Sequence, residues 1–179
     1  EYLYDTYKKE MNRRRRIDFD DMVLLCRDLL LARPEVLKLW QERFRYILID
    51  EFQDICPLQY EVVRLLAAPR DNLFIVGDDD QAIYGFRGSK PEIMLNFQKD
   101  YPSAKQVLLN VNYRSRRDIV ETAVRLISHN KSRFPKAVET QNPMTDGVKI
   151  YSFTSKHQQA KNTALLIRQY MEQEGAHYS

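Results

Sequence analysis

Two apolar runs in this chain end on acid, and no other feature restricts the fold as strongly. Residues 46–54 read YILIDEFQD, and residues 73–81 read LFIVGDDDQ. A short apolar run is ambiguous by itself, because carboxylates commonly cap the backbone donors that a turn exposes after a strand. The alternative is a central strand of a parallel sheet, whose carboxyl end delivers acids to a ligand crevice. Between the runs, residues 57–68 have helical length with Pro57 in the first turn, which suits a helix start. Strand, helix and strand at this spacing imply a βαβ unit and a parallel sheet, hence an α/β fold. Two such strand tips lie side by side, so Asp50, Glu51 and Gln81 can face one site.

The remaining pattern alternates in the same way. Helices are expected over residues 1–15, from Asp18 to just before Pro34, and over 36–43, 91–99, 115–129 and 156–174, the last closed by Gly175. Further strands are expected over 106–111 and 148–153. Residues 130–146, with Pro135, Pro143 and an Asp146-Gly147 turn, read as a connecting loop and the best boundary between two lobes.

Composition removes several classes. With 44% hydrophobic and 30% charged residues among 179, the chain carries enough apolar material for a core and too much for a disordered segment. No apolar stretch approaches the roughly 20 residues of a membrane-spanning helix. The opening EYLYDTYKKE is no signal peptide. Cys26 and Cys56 lack a CxxC spacing or a nearby His, which favours a reducing, cytoplasmic setting over a metal or disulfide frame. A net charge of +3 points only weakly to polyanions. The run Arg13-Arg14-Arg15-Arg16 reads either as a solvated helix face or as a phosphate contact. The chain opens without Met, inside a helical pattern set by Tyr4, Tyr7 and Met11, and is expected to be a piece of something longer.

The strand-tip acids suit a nucleoside triphosphate. Mg²⁺ takes oxygen ligands, often one carboxylate with waters and phosphates. A second carboxylate can deprotonate an attacking water, and an amide can hydrogen-bond that water or the terminal phosphate. A third element, VLLNVNYRS at 107–115, adds Arg114, which could reach developing phosphoryl charge, and Tyr113, which could stack on a base. Taken singly, Tyr113 could equally be a half-buried aromatic and Arg114 a surface ion-pair partner. Asp78, Asp79 and Asp80 repel one another, and a turn explains two of them; Asp78 alone is expected near a metal, through an intermediary. Cys56 reads as a small buried hydrophobe.

The ordered set IDEFQD, VGDDDQAIYGFRGS and NYRS resembles motifs II, III and IV of superfamily I DNA helicases of the UvrD/Rep/PcrA type. IDFDDMVLL at 17–25 is similar to what precedes motif II in that family. The resemblance is strongest over residues 17–117 and weak after 130. It implies part of a RecA-like P-loop NTPase lobe with a parallel sheet: residues 1–44 a helical segment from the end of an inserted subdomain, 45–115 the first-lobe core, and 116–179 the start of a second lobe. It also implies roles. Asp50 would hold Mg²⁺ and Glu51 would act as base toward water. Gln81 would sense the γ-phosphate, Tyr113 would stack on adenine and Arg114 would contact the γ-phosphate of ATP. Tyr84 and Phe86 would stack on single-stranded DNA, with Arg87 supporting the link between the sites. Duplex junctions and repair or replication proteins would be further partners, and movement would run 3′ to 5′. Phe52 stands where the family usually has Tyr, losing a hydroxyl; Phe86 stands where close relatives often carry Trp, offering a smaller π-face.

The family's P-loop, GxxxxGK[ST], is missing. The five glycines are Gly77, Gly85, Gly88, Gly147 and Gly175, and none precedes a Lys. The late motifs, which supply a second arginine, are missing too. The chain by itself is therefore expected neither to bind ATP tightly nor to hydrolyse it. Two other readings stay open. A metal-dependent nuclease would use Asp50, Glu51 and Asp78 to Asp80 around two metals, though it leaves Gln81, Arg114 and the aromatics unexplained. A non-enzymatic single-stranded DNA-binding module would bind in a salt-sensitive way without responding to nucleotide.

Overall fold

A computed structural model of the chain describes residues 2–174. The backbone separates into two compact units, residues 1–109 with 130–136, and residues 110–129 with 137–179. The expected lobe boundary at 115/116 thus falls inside the second unit, and the first stretch of the expected connecting loop, 130–136, belongs to the first.

The first unit opens with three helices, α1 (Tyr2–Arg13), α2 (Phe19–Ala32) and α3 (Pro34–Arg43). Asp18 caps α2: its Oδ1 accepts the Asp21 N–H at 2.8 Å, and the Asp21 carboxylate reaches back to the Asp18 N–H at 3.4 Å, so two free amides of the first turn are satisfied reciprocally. The same carboxylates take Lys8 and the Tyr7 hydroxyl from α1, which ties α1 to the start of α2. Arg13 and Arg14 of the arginine run are held by Glu10, as a solvated helix face requires.

Strand β1 (Ile47–Ile49) pairs in parallel with β2 (Leu73–Ile75), Ile47 opposite Leu73 and Ile49 opposite Ile75. Helix α4 (Pro57–Ala67) crosses between them, completing the βαβ unit. Ile47, Ile49, Leu73 and Ile75 are half-buried on one face, while Leu48 and Phe74 are exposed on the other. The core gathers beneath β1: Phe52 is fully buried and meets Tyr60 and Phe97 edge-on, with ring centroids 5.9 and 5.7 Å away. That geometry sets ring edges against ring faces and adds to the burial itself.

The expected helix over 91–99 is two pieces, α5 (Pro91–Leu95) and α6 (Phe97–Asp100). Asn96 divides them: its Nδ2 folds back on the Glu92 carbonyl at 2.8 Å, beside the bond that its own backbone N–H makes to the same oxygen at 2.9 Å. The expected third strand, 106–111, does not form. A strand exists only when a neighbour completes its ladder, and here Val111 alone finds a partner, Glu139. Val107 and Leu109 remain exposed. The expected strand over 148–153 likewise carries no ladder.

In the second unit, α7 (Arg117–Ile127) and α8 (Lys156–Glu174) form as expected. Gly175 lies outside the described residues. Helix α7 buries Val120 and Asp118; the Thr145 hydroxyl lies 3.4 Å from both Asp118 oxygens.

Candidate functional site

Parallel pairing in this register sends β1 and β2 to the same end, where the two acidic turns begin. The ladder continues one step past the strands. Val76 N–H donates to the Ile49 carbonyl at 2.8 Å, and Phe52 N–H donates to the Val76 carbonyl at 2.9 Å. Between those bonds, Glu51 takes a left-handed backbone, φ 50° and ψ 41°. A side chain rarely adopts that region, and such residues cluster at functional sites.

Glu51 is exposed, but its carboxylate is aimed. Gln53, 2% exposed, donates Nε2 to Glu51 Oε2 at 2.7 Å and accepts the Asp78 N–H on Oε1 at 3.0 Å. One buried amide therefore joins the acid after β1 to the turn after β2. Gly77 makes room for it: a Cβ there would lie 2.5 Å from Gln53 Oε1 and 3.1 Å from the Phe52 nitrogen. Gln81 donates Nε2 to Asp78 Oδ2 at 2.7 Å. Glu51 and Gln81 are thus one amide and one carboxylate apart, through Gln53 and Asp78.

Asp50 is exposed beside Glu51, and its Oδ1 accepts the Glu51 N–H at 2.9 Å. Asp50, Glu51 and Asp54 face a concavity of about 590 Å³, across from Met22, Val23 and Cys26 of α2. Asp54 Oδ1 is buried there without a hydrogen-bond partner among the described residues. No group of three or more His, Cys, Asp or Glu side chains among those residues is arranged to hold a metal alone. One carboxylate at the edge of an open concavity suits Mg²⁺, which draws most of its shell from waters and phosphates.

The triple-aspartate turn is occupied by cations. Arg133 grips Asp80 through two bonds of 2.8 and 2.6 Å, and Lys136 bonds both Asp78 and Asp79 at 2.5 Å. The Arg133 guanidinium holds the Asp80 carboxyl below its ordinary value, against the opposing effect of burial. For Asp78, burial pushes up, but bonds from Lys136 and Gln81 outweigh it and the net direction is down.

Tyr84, Phe86 and Arg87 follow on the next turn, all exposed. The two rings lie 5.7 Å apart, with the Arg87 guanidinium 5.1 Å from the Tyr84 ring and 5.5 Å from that of Phe86. A cation above two open π-faces forms a platform on which a flat ring system can stack.

Tyr113 and Arg114 belong to the second unit, on a turn made by asparagines. Asn112 Oδ1 accepts the N–H groups of Arg114 and Ser115 at 3.0 and 2.8 Å, and Asn142 Nδ2 donates to the carbonyls of Tyr113 and Ser115, both at 3.1 Å. The turn leaves both side chains exposed. Sequence reasoning passed over Gln53, Gly77, Asn112, Asn142, Arg133 and Lys136. Charge arithmetic offered one signal: three adjacent carboxylates demand cations, and the chain supplies Arg133 and Lys136.

Comparison with known proteins gives the family of the chain. The UvrD/REP helicase N-terminal domain matches residues 1–102, and the UvrD-like helicase C-terminal domain matches residues 107–179. YjcD of Bacillus subtilis (strain 168) is 50% identical over 137 residues, covering 76% of this chain and 18% of its own length. The ATP-dependent DNA helicase PcrA of Leuconostoc citreum is 41% identical over 177 residues, covering 99% of this chain and 24% of its own length. PcrA of Staphylococcus aureus (strain Mu50 / ATCC 700699) is 42% identical over 151 residues, covering 84% and 20%. The chain therefore spans 18–24% of the length of these relatives. With parallel strands that end in IDEFQD and GDDDQ and a domain match over more than half its residues, the chain belongs to the UvrD/REP helicase family.

Proposed function

We propose that this chain carries the water-activating and sensing elements of a longer ATP-dependent DNA helicase, which couples ATP hydrolysis to movement on single-stranded DNA and duplex unwinding in repair or replication. The observation that carries the reading is the buried Gln53 amide joining Glu51 to the turn that bears Gln81. Those two bonds support the reading by linking Glu51 to the turn that bears Gln81, since chemistry at a terminal phosphate depends on positioning.

In this reading Asp50 would hold Mg²⁺, which would neutralise phosphate charge when bound. Glu51, aimed by Gln53, takes the proton of the attacking water, and Gln81 places an amide against that water or the γ-phosphate. Tyr113 and Arg114, presented outward by the asparagine turn, meet the adenine and the γ-phosphate. The Tyr84–Phe86–Arg87 platform stacks on DNA bases. By itself the chain does not turn over ATP, since no GxxxxGK[ST] loop is present in it. The nuclease reading loses support because its three extra acids are engaged by Arg133 and Lys136.

The test is ATP hydrolysis by the full-length protein with and without single-stranded DNA, against its Glu51→Gln variant. DNA-stimulated turnover that Glu51→Gln abolishes is the expected result. Turnover in Glu51→Gln equal to wild type, or DNA cleavage with Mg²⁺ and no nucleotide, would sink the reading.

A further inference from the structure

The cations on residues 133–136 do more than neutralise a turn. Asp78 divides its carboxylate among three donors: Oδ1 takes Lys136 Nζ at 2.5 Å and the Asp80 N–H at 3.1 Å, while Oδ2 takes the Gln81 amide at 2.7 Å. Its backbone N–H binds Gln53, which binds Glu51. Asp78 thus links Lys136 and Gln81, on its carboxylate, to Gln53 and Glu51, reached through its backbone N–H. Lys136 also bonds Asp79 at 2.5 Å and lies 3.2 Å from Asp80, and the Phe134 N–H donates to Asp79 at 2.8 Å.

The chemistry of this linkage fixes an orientation. An ionised carboxylate only accepts, so Asp78 selects the Nε2 side of the Gln81 amide and turns Oε1 away from itself. Lys136, with its side chain largely shielded from water, keeps Asp78 in that acceptor form. An outward Oε1 accepts a hydrogen bond from water, whereas an outward Nε2 would only donate one, to phosphate.

We infer that Lys136 is a positioning residue for Gln81, with Arg133 clamping the turn on which it acts, and that the pair sets the amide so that its oxygen faces the attacking water. The inference rests on the helicase reading above. Lys136 touches no substrate and acts through Asp78, so its loss should affect turnover and leave ATP binding nearly intact.

The experiment measures kcat and KM for ATP in the full-length protein at saturating single-stranded DNA, for wild type, Lys136→Met, Gln81→Ala and the double variant. Lys136→Met is expected to lower kcat by about tenfold with KM within about twofold, and to add nothing to Gln81→Ala, because residues acting as a unit are not additive. An unchanged kcat in Lys136→Met, or losses that multiply in the double variant, overturns the inference. Should Lys136→Met fail to fold, Asp78→Asn substitutes for it. The Asn amide can offer Gln81 a donor and invert its preferred orientation, so the same fall in kcat is expected, and an unchanged kcat overturns. A wild-type protein without DNA-stimulated hydrolysis would instead sink the helicase reading itself.

Discussion

Gln53 and Glu51 are joined by a 2.7 Å hydrogen bond although one side chain is buried and the other open to solvent. The left-handed backbone at Glu51 makes this possible, because it turns the chain sharply after β1 and brings the side chain two residues on back beneath the acid. The acid is held from below by a group that is itself held by the neighbouring turn, an arrangement suited to keeping a carboxylate in place without closing it off from water.

That bond depends on the absence of a side chain at residue 77. In Gly77→Ala the new Cβ would collide with Gln53 Oε1, displacing the amide from both Asp78 and Glu51. The variant should lose about 1–3 kcal/mol of stability in urea unfolding, the usual cost of overpacking. The loss should shrink when Gly77→Ala is made in a Gln53→Ala background, since the colliding oxygen is then gone; an equal loss in both backgrounds would show that the backbone of Phe52 sets the cost.

Phe52 is the centre of the core, with no exposed surface and two edge-on aromatic partners. Phe52→Ala should destabilise the first unit by about 3–5 kcal/mol, the range for removing a buried ring. Denaturant unfolding followed by near-ultraviolet circular dichroism measures this directly.

Acid should loosen the triple-aspartate turn. Asp80, held down mainly by Arg133, and Asp78, held down by Lys136 and Gln81 against the effect of burial, both titrate below the ordinary 3.8 in the folded chain. A depressed carboxylate contributes stability that is complete above its unfolded pKa and is lost as pH falls through the folded value. Stability should therefore decline as pH drops below about 4, and the decline should be shallower in Asp80→Asn. Unfolding midpoints between pH 3 and 6 decide the matter.

The platform aromatic should separate binding from folding. Phe86 is 79% exposed, so Phe86→Ala should leave stability within about 0.5 kcal/mol. In the full-length protein it should weaken single-stranded DNA binding by about 1–3 kcal/mol, the scale of one stacked base. Fluorescence anisotropy with a labelled oligonucleotide is the readout, and undiminished affinity would remove Phe86 from the DNA surface.

Much of this was legible in the residues. The βαβ unit followed from two apolar runs on either side of a helix that starts at Pro57, and the start of α2 followed from Asp18. What escaped depended on contacts distant in sequence. Nothing local distinguishes Gln53 from an exposed turn residue, and nothing near Lys136 announces that it meets Asp78. Residues 106–111 failed as a strand for the same reason: VLLNV has the composition, but a ladder requires another backbone at hydrogen-bonding distance.

The open face of β1 and β2 governs how the chain behaves in a tube. Leu48 and Phe74 stand on a two-stranded parallel pair that gains no further strand among the described residues, and Val107 and Leu109 lie exposed on a stretch without a ladder. Surfaces of this kind invite strand addition between molecules. Preparations of the chain alone will tend to clump as concentration rises, and light scattering across a dilution series belongs ahead of any binding titration.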